Sequence, residues 1–176
     1  MEAKEVIVRS LEESQGRLTK ALDGLTQEEI ASSPKEECNS IAFILWHMTR
    51  AEDMWINSAI RHQSEVYEVE GWRTKLGTPM KDTGGKYTRR QLQAWPVPDL
   101  ENLRGYSEAV RDKTNVFLES IDDNKLSEVA RTDPSTDTVG AILGHLITEI
   151  AMHVGQIDYL HGLHRGLDSA TYRYWR

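Results

Sequence analysis

Apolar positions along this chain recur at intervals of three, four and seven residues, a period typical of amphipathic α-helices. Four long stretches carry the pattern, at residues 3–22, 40–62, 99–121 and 139–160. No stretch shows the strict alternation of a half-buried strand. Four long amphipathic helices without strands predict an all-α protein with the architecture of a four-helix bundle.

The segment between the second and third helices, residues 63–98, differs from the rest of the chain because glycine and proline interrupt it repeatedly. Only one short helix is expected there, at 88–94, and a turn is predicted at 133–137. A connection this long predicts a crossover, and such loops often cover functional sites. Its aromatic residues either cover a pocket or anchor the loop: Trp72, Tyr87 and Trp95. The whole chain, 1–176, is predicted to form one domain.

Two polar residues interrupt the apolar face of the fourth helix. At 3.6 residues per turn His153 lies within about 20° of the centre of this face, and Glu149 lies about 50° to one side. A carboxylate that faces a core is unfavourable unless another group pairs with it. His47 shares the inward row of the second helix with Ile44 and Ala51. We therefore predict that His47, Glu149 and His153 bind one metal ion inside the bundle.

Two imidazoles and one carboxylate suit transition metals better than calcium or magnesium. Zinc is the first expectation, with nickel and iron(II) as alternatives. Three protein ligands leave one coordination position open, which is typical of a catalytic site. Two readings without a metal remain open. Glu149 and His153 could form a buried ion pair beside His47, and His47 could be a hydrogen-bonded core histidine.

Other polar residues of the fourth helix receive simpler interpretations. His145 lies about 12 Å before His153 and near the edge of the apolar face, so packing explains it better than ligation. His161 and His164 are expected as cations that the helix C-terminus favours. Gln156 could orient a ligating imidazole, whereas Asp158 is expected to face solvent.

Composition limits the cellular compartment and the binding partners that we expect for this protein. The net charge of −7 and the lack of a basic patch argue against nucleic acid as a partner. The single cysteine, Cys38, excludes an internal disulfide and is expected to be chemically inert. Neither a signal peptide nor an apolar run of the roughly 18 residues that cross a bilayer is recognised, so we expect a cytoplasmic protein. In the second helix region three carboxylates are assigned to the solvated side: Glu36, Glu37 and Glu52.

Two segments resemble motifs of a known family. Ser40-Ile-Ala-Phe-Ile-Leu-Trp-His47-Met-Thr-Arg-Ala-Glu52 resembles the second-helix motif of the DinB-like (DinB/YfiT) four-helix-bundle metalloproteins. His145-Leu-Ile-Thr-Glu149-Ile-Ala-Met-His153-Val-Gly-Gln156 resembles their fourth-helix motif, His-x3-His-x3-His-x-Gly-Gln. The likeness covers nearly the full chain and implies the ligands His47, Glu149 and His153. Glu149 replaces the usual histidine, as in the related mycothiol-dependent enzymes.

The resemblance also implies a function. Some relatives are S-transferases or isomerases that use mycothiol, bacillithiol or another low-molecular-weight thiol. We therefore expect a metal-dependent S-transferase, or a related metal-assisted transfer or hydrolysis, acting on a small-molecule substrate. The alternative is a non-enzymatic, stress-linked bundle whose metal is structural or sensing. Relatives are often homodimers, which is the expected assembly here.

Overall fold

Helices dominate the computed structural model of this chain, which describes residues 2–79, 82–131 and 137–166. The first helices are α1 (Ala3–Ala21), α2 (Gln27–Ala31), α3 (Ile41–Asp53), α4 (Val66–Val69) and α5 (Trp72–Leu76). They are followed by α6 (Arg89–Ala94), α7 (Leu100–Ser120), α8 (Asp123–Leu126) and α9 (Val139–Arg165). A π-helical segment, Met54–Ile60, continues α3 directly. The predicted all-α bundle and its four long helices are confirmed.

Three details differ from the sequence-based expectation. The crossover contains two short helices, α4 and α5, in addition to the one expected at 88–94. The last helix extends to Arg165 instead of ending near residue 160. A small antiparallel pair of strands, β1 (Val129–Arg131) and β2 (Asp137–Thr138), precedes it. These strands are too short for alternation to be visible in the sequence. Most of the turn predicted at 133–137 lies outside the described residues.

The core forms where the long helices pack together. Helix α9 packs against α1 and α3, and α3 also packs against α7. The apolar stripe predicted for the last helix is buried: Val139, Ile142, Leu146, Ile150, Ile157 and Leu160. Within the described part of the chain, no helix combines the length and the hydropathy that spanning a bilayer requires.

A buried carboxylate holds the crossover segment against α3. Asp53 is fully buried and accepts hydrogen bonds from the backbone N–H groups of Val66 and Tyr67, at 2.9 Å each. The Tyr106 hydroxyl from α7 donates to the same carboxylate at 2.8 Å. The Arg50 guanidinium lies 4.0 Å above the Tyr67 ring. These contacts fix the start of the crossover to α3 and α7.

The expectation that Glu52 faces solvent is wrong. The residue is only 4% exposed. It accepts hydrogen bonds from Arg111 at 2.8 Å and from Thr114 at 2.7 Å. The physical reason is that neighbouring elements surround α3, so even its polar face is buried and must be paired. Glu36 and Glu37 are exposed, as predicted.

Candidate metal centre

The predicted side chains meet between α3 and α9. His47 projects from the middle of α3, and Glu149 and His153 lie one turn apart on α9. Glu149 Oε1 lies 3.1 Å from His153 Nε2 and 3.5 Å from His47 Nε2. One ligand-capable atom from each of the three residues lies within 4.8 Å of the others. The three side chains that were predicted to bind one ion therefore lie together.

Each imidazole is oriented by a hydrogen bond to its other nitrogen. His153 Nδ1 lies 2.8 Å from Gln156 Oε1, one turn further along α9. His47 Nδ1 contacts the main-chain carbonyl oxygen of Thr83, in the crossover. When Nδ1 donates to an oxygen, a neutral imidazole keeps its Nε2 lone pair free for a metal. Both Nε2 atoms lie beside the Glu149 oxygen, so the tautomers that carry the proton on Nδ1 would leave both lone pairs directed at one site.

The distances between donor atoms also fit a small cation. In a tetrahedral zinc site, a nitrogen ligand at about 2.0–2.1 Å and an oxygen ligand at about 2.0–2.2 Å lie about 3.3–3.5 Å apart. The separations of 3.1 and 3.5 Å between Glu149 Oε1 and the two imidazole nitrogens bracket that range. A donor set of two nitrogens and one oxygen suits zinc, iron(II) or nickel. The residues present therefore fit a divalent transition metal.

The loop that supports His47 is itself braced. The Asp82 carboxylate accepts a hydrogen bond from Gly84 N at 2.8 Å and one from the Tyr87 hydroxyl at 2.6 Å. Burial, together with the Asp82 carboxylate, raises the pKa of the Tyr87 hydroxyl, so it remains a donor. Sequence reasoning missed Thr83, because a main-chain carbonyl leaves no signal in the sequence.

Two of the three aromatic residues singled out in the crossover anchor it close to the site. The Tyr87 and Trp95 rings lie 5.3 and 5.2 Å from the Phe43 ring, one turn before His47. Trp72 packs instead against the Tyr106 ring, at 5.8 Å. The sequence left open whether these aromatic residues cover a pocket or anchor the loop. Their contacts support the anchoring role.

Two other histidines of α9 take different roles. His145 is exposed and its ring lies 5.6 Å from the Trp55 ring, so packing explains it, as predicted. His161 does not act as an exposed cation at the helix end. It is buried, and its Nδ1 lies 2.7 Å from the carbonyl oxygen of Ala21, so it joins α9 to α1.

The expectation that Asp158 faces solvent is also wrong. Its side chain is partly buried, and Oδ1 makes no hydrogen bond to any described residue. Burial raises the pKa of this carboxyl above its ordinary value. His164 does lie in the last turn of α9, where its Nε2 is 3.0 Å from Ser32 Oγ.

The fold and the site together define a helical-bundle protein with a candidate transition-metal centre in its interior. Residues 10–157 match the DinB superfamily, and the chain belongs to that superfamily. A crystal structure of a conserved protein from Enterococcus faecalis is similar, with a TM-score of 0.80 and 23% sequence identity. The match covers 93% of this chain and 97% of that one, and it supports the fold. No curated protein matches this sequence.

Proposed function

We propose that this protein is a metal-dependent enzyme, either an S-transferase that uses a low-molecular-weight thiol or an enzyme of a related metal-assisted transfer or hydrolysis. His47, Glu149 and His153 would hold a divalent transition metal, with zinc as the first candidate and nickel or iron(II) as alternatives. One observation carries the proposal. A single carboxylate oxygen lies beside two imidazole nitrogens whose partner nitrogens are already hydrogen-bonded.

Bound there, a divalent cation would supply Lewis acidity that lowers the pKa of a coordinated thiol or water. The protein groups prepare the site for it. Thr83 and Gln156 fix the two rings, and Glu149 contributes the one negative charge among the ligands. The side chains of His47 and Glu149 are 18% and 21% exposed, so small molecules can approach from solvent. This exposure supports a reactive site.

The alternative is a non-enzymatic bundle in which the ion is structural or sensing. A structural zinc site usually has four protein ligands. Within the described residues, the cluster of potential ligands contains only His47, Glu149 and His153. A three-residue set favours the catalytic proposal, because it leaves a coordination position for a reactant.

Elemental analysis of protein purified without a histidine tag tests the proposal. The wild type should retain a transition metal, whereas His153→Ala should lose it. His145→Ala is the matched control, because it removes an imidazole two turns away on the same helix. Unchanged metal content in His153→Ala would eliminate the proposed site.

Thermal unfolding with and without a chelator gives a second measurement. A ligand present at 100 times its dissociation constant stabilises the folded state by about 2.7 kcal/mol. Chelation should therefore lower the melting temperature of the wild type and leave that of His153→Ala unchanged. A metal-free ion pair between Glu149 and His153 would make both proteins insensitive to the chelator.

A further inference from the structure

A cleft of about 550 Å³ opens beside the candidate metal centre, between the segment 34–39 and the second half of α9. Volumes of roughly 300–1,000 Å³ are typical of small-molecule sites. Met152 and Tyr159 line the cleft, and they are 49% and 63% exposed. Two large, exposed side chains on the wall of a concave surface offer apolar area that a small ligand can cover.

The cleft adjoins the proposed metal ligands through shared residues. Gln156 lines the cleft while its Oε1 holds His153 Nδ1 at 2.8 Å. Ile44, another lining residue, precedes His47 by one turn of α3. The Gln156 amide nitrogen makes no hydrogen bond to any described residue, so it can donate to a ligand. The three proposed ligands do not themselves line the cleft, so a molecule bound there reaches the metal centre by extending past Gln156.

The charge of the cleft limits what it can bind. Its lining residues include no lysine, arginine or histidine among those described. Glu37 contributes a carboxylate, whose Oε1 lies 3.5 Å from Arg89 Nη1. Neutral hydrogen-bonding groups come from Asn39, Gln156 and Tyr159. A carboxylate or phosphate in this cleft would meet no cation among the described lining residues, because the nearby Arg89 is already paired with Glu36 and Glu37, and it would lose hydration.

We propose that this cleft binds an uncharged, amphipathic small molecule and discriminates against ligands that carry carboxylates or phosphates. The apolar part of the ligand packs against Met152 and Tyr159, and its amide or hydroxyl groups meet Asn39 and Gln156. The inference rests on the proposed function, and it narrows the class of thiol that the site would use.

Thiol binding to the cobalt-substituted protein tests the proposal, with the sulfur-to-cobalt charge-transfer absorption as the readout. The probes are N-acetylcysteine, its uncharged amide and its uncharged benzylamide. Burying about 55 Å² of apolar surface strengthens binding about tenfold, so the benzylamide should bind at least that much tighter than the amide. N-acetylcysteine should bind most weakly. Equal affinities, or a preference for N-acetylcysteine, would overturn the inference.

A charge introduced into the cleft provides the sharper comparison. Met152→Lys supplies a cation in the cleft and should therefore favour N-acetylcysteine, the probe that carries a carboxylate. The affinity for the amide divided by that for N-acetylcysteine should fall about tenfold. Val116→Lys, at an exposed valine of α7 that is 59% accessible, is the matched control and should leave the ratio unchanged. Intrinsic differences between the probe thiols cancel in this comparison. An unchanged ratio in Met152→Lys contradicts the proposal.

Cys38 gives a readout that does not depend on the metal. It is the only cysteine, it is exposed, and it lines the cleft. In metal-free protein, the S-methylated benzylamide probe should slow alkylation of Cys38 by iodoacetamide, measured by mass spectrometry. S-methylated N-acetylcysteine should protect it less. If the probes protect Cys38 but the protein does not bind cobalt, only the metal proposal is refuted. If the protein binds cobalt but the uncharged probe does not protect Cys38 better than the charged one, only the cleft assignment is refuted.

Discussion

The substitution Gly84→Ala tests how the crossover supports the metal centre. Gly84 adopts a φ of +81°, a left-handed conformation that residues with a Cβ atom rarely adopt. A Cβ added there would lie 2.7 Å from Trp46 Cζ3 and 2.9 Å from Phe43 Cζ. Trp46 is fully buried and cannot yield without disturbing the core. Backbone strain and overpacking therefore act at the same position.

The two effects set the expected loss of stability. A left-handed conformation costs an alanine about 1–2 kcal/mol. Overpacking in a well-packed core typically costs about 1–3 kcal/mol. Together they predict that Gly84→Ala lowers the free energy of unfolding by about 2–5 kcal/mol. The loop can relieve part of this strain only by moving away from α3.

That movement has a consequence for the site. Thr83 precedes Gly84, and its carbonyl oxygen contacts His47 Nδ1. Loss of an outer partner of a metal-binding histidine typically lowers metal affinity about 10- to 100-fold. Gly84→Ala should therefore weaken metal binding as well as folding, although residue 84 contributes no ligand.

Gly85→Ala is the control, because its added Cβ would meet only Thr83 Oγ1, at 3.9 Å, and its φ is not positive. Urea unfolding followed by tryptophan fluorescence measures stability, and zinc titration against a competing chelator measures affinity. The reasoning is refuted if the two alanine variants are equally stable. It is also refuted if Gly84→Ala is destabilised but binds zinc as tightly as Gly85→Ala.

Three further substitutions probe other parts of the molecule. Glu52→Ala leaves the Arg111 charge buried without its carboxylate partner and should lower the free energy of unfolding by about 3–5 kcal/mol in urea. Glu13→Ala is the control: it removes an exposed ion pair with Arg17 and should lower the free energy of unfolding by less than about 1 kcal/mol. Asp158→Asn should raise the melting temperature at pH 7. Burial raises the pKa of the Asp158 carboxyl, so the ionised form destabilises the folded protein, and asparagine removes that charge. The gain in melting temperature should disappear below pH 3.8, the ordinary pKa of the carboxyl, where aspartate is protonated in both states. Glu149→His should retain the metal in elemental analysis, and azide should bind the cobalt-substituted variant more tightly because the site has lost a negative charge.

Helical periodicity identified the four long helices and the residues that face inward. That information is local, because a residue's position around a helix follows from its spacing alone. It placed Glu149 and His153 on one face, and it placed His47 on the inward row of α3. It could not show that the faces of α3 and α9 meet at these residues, which depends on how the helices pack.

Features that depend on distant partners were not predictable in the same way. Glu52 looked like a solvated residue, because nothing near it in sequence indicates Arg111, 59 positions later. His161 bonds to a carbonyl 140 positions earlier. A charged or polar residue can be buried when tertiary structure supplies its partner, and sequence pattern alone does not reveal that partner.

The two imidazoles of the candidate centre depend on different kinds of support. His153 is oriented by Gln156 on its own helix, so its position forms when α9 forms. His47 is oriented by a carbonyl of the crossover, so its tautomer is fixed only once the 82–88 loop docks on α3. Any ion that requires both Nε2 lone pairs binds the docked state preferentially. By linkage such an ion would favour docking of the crossover by the same coupling free energy with which docking favours the ion. If the proposed ion binds, its binding and the docking of the 82–88 loop on α3 would therefore be thermodynamically coupled through His47.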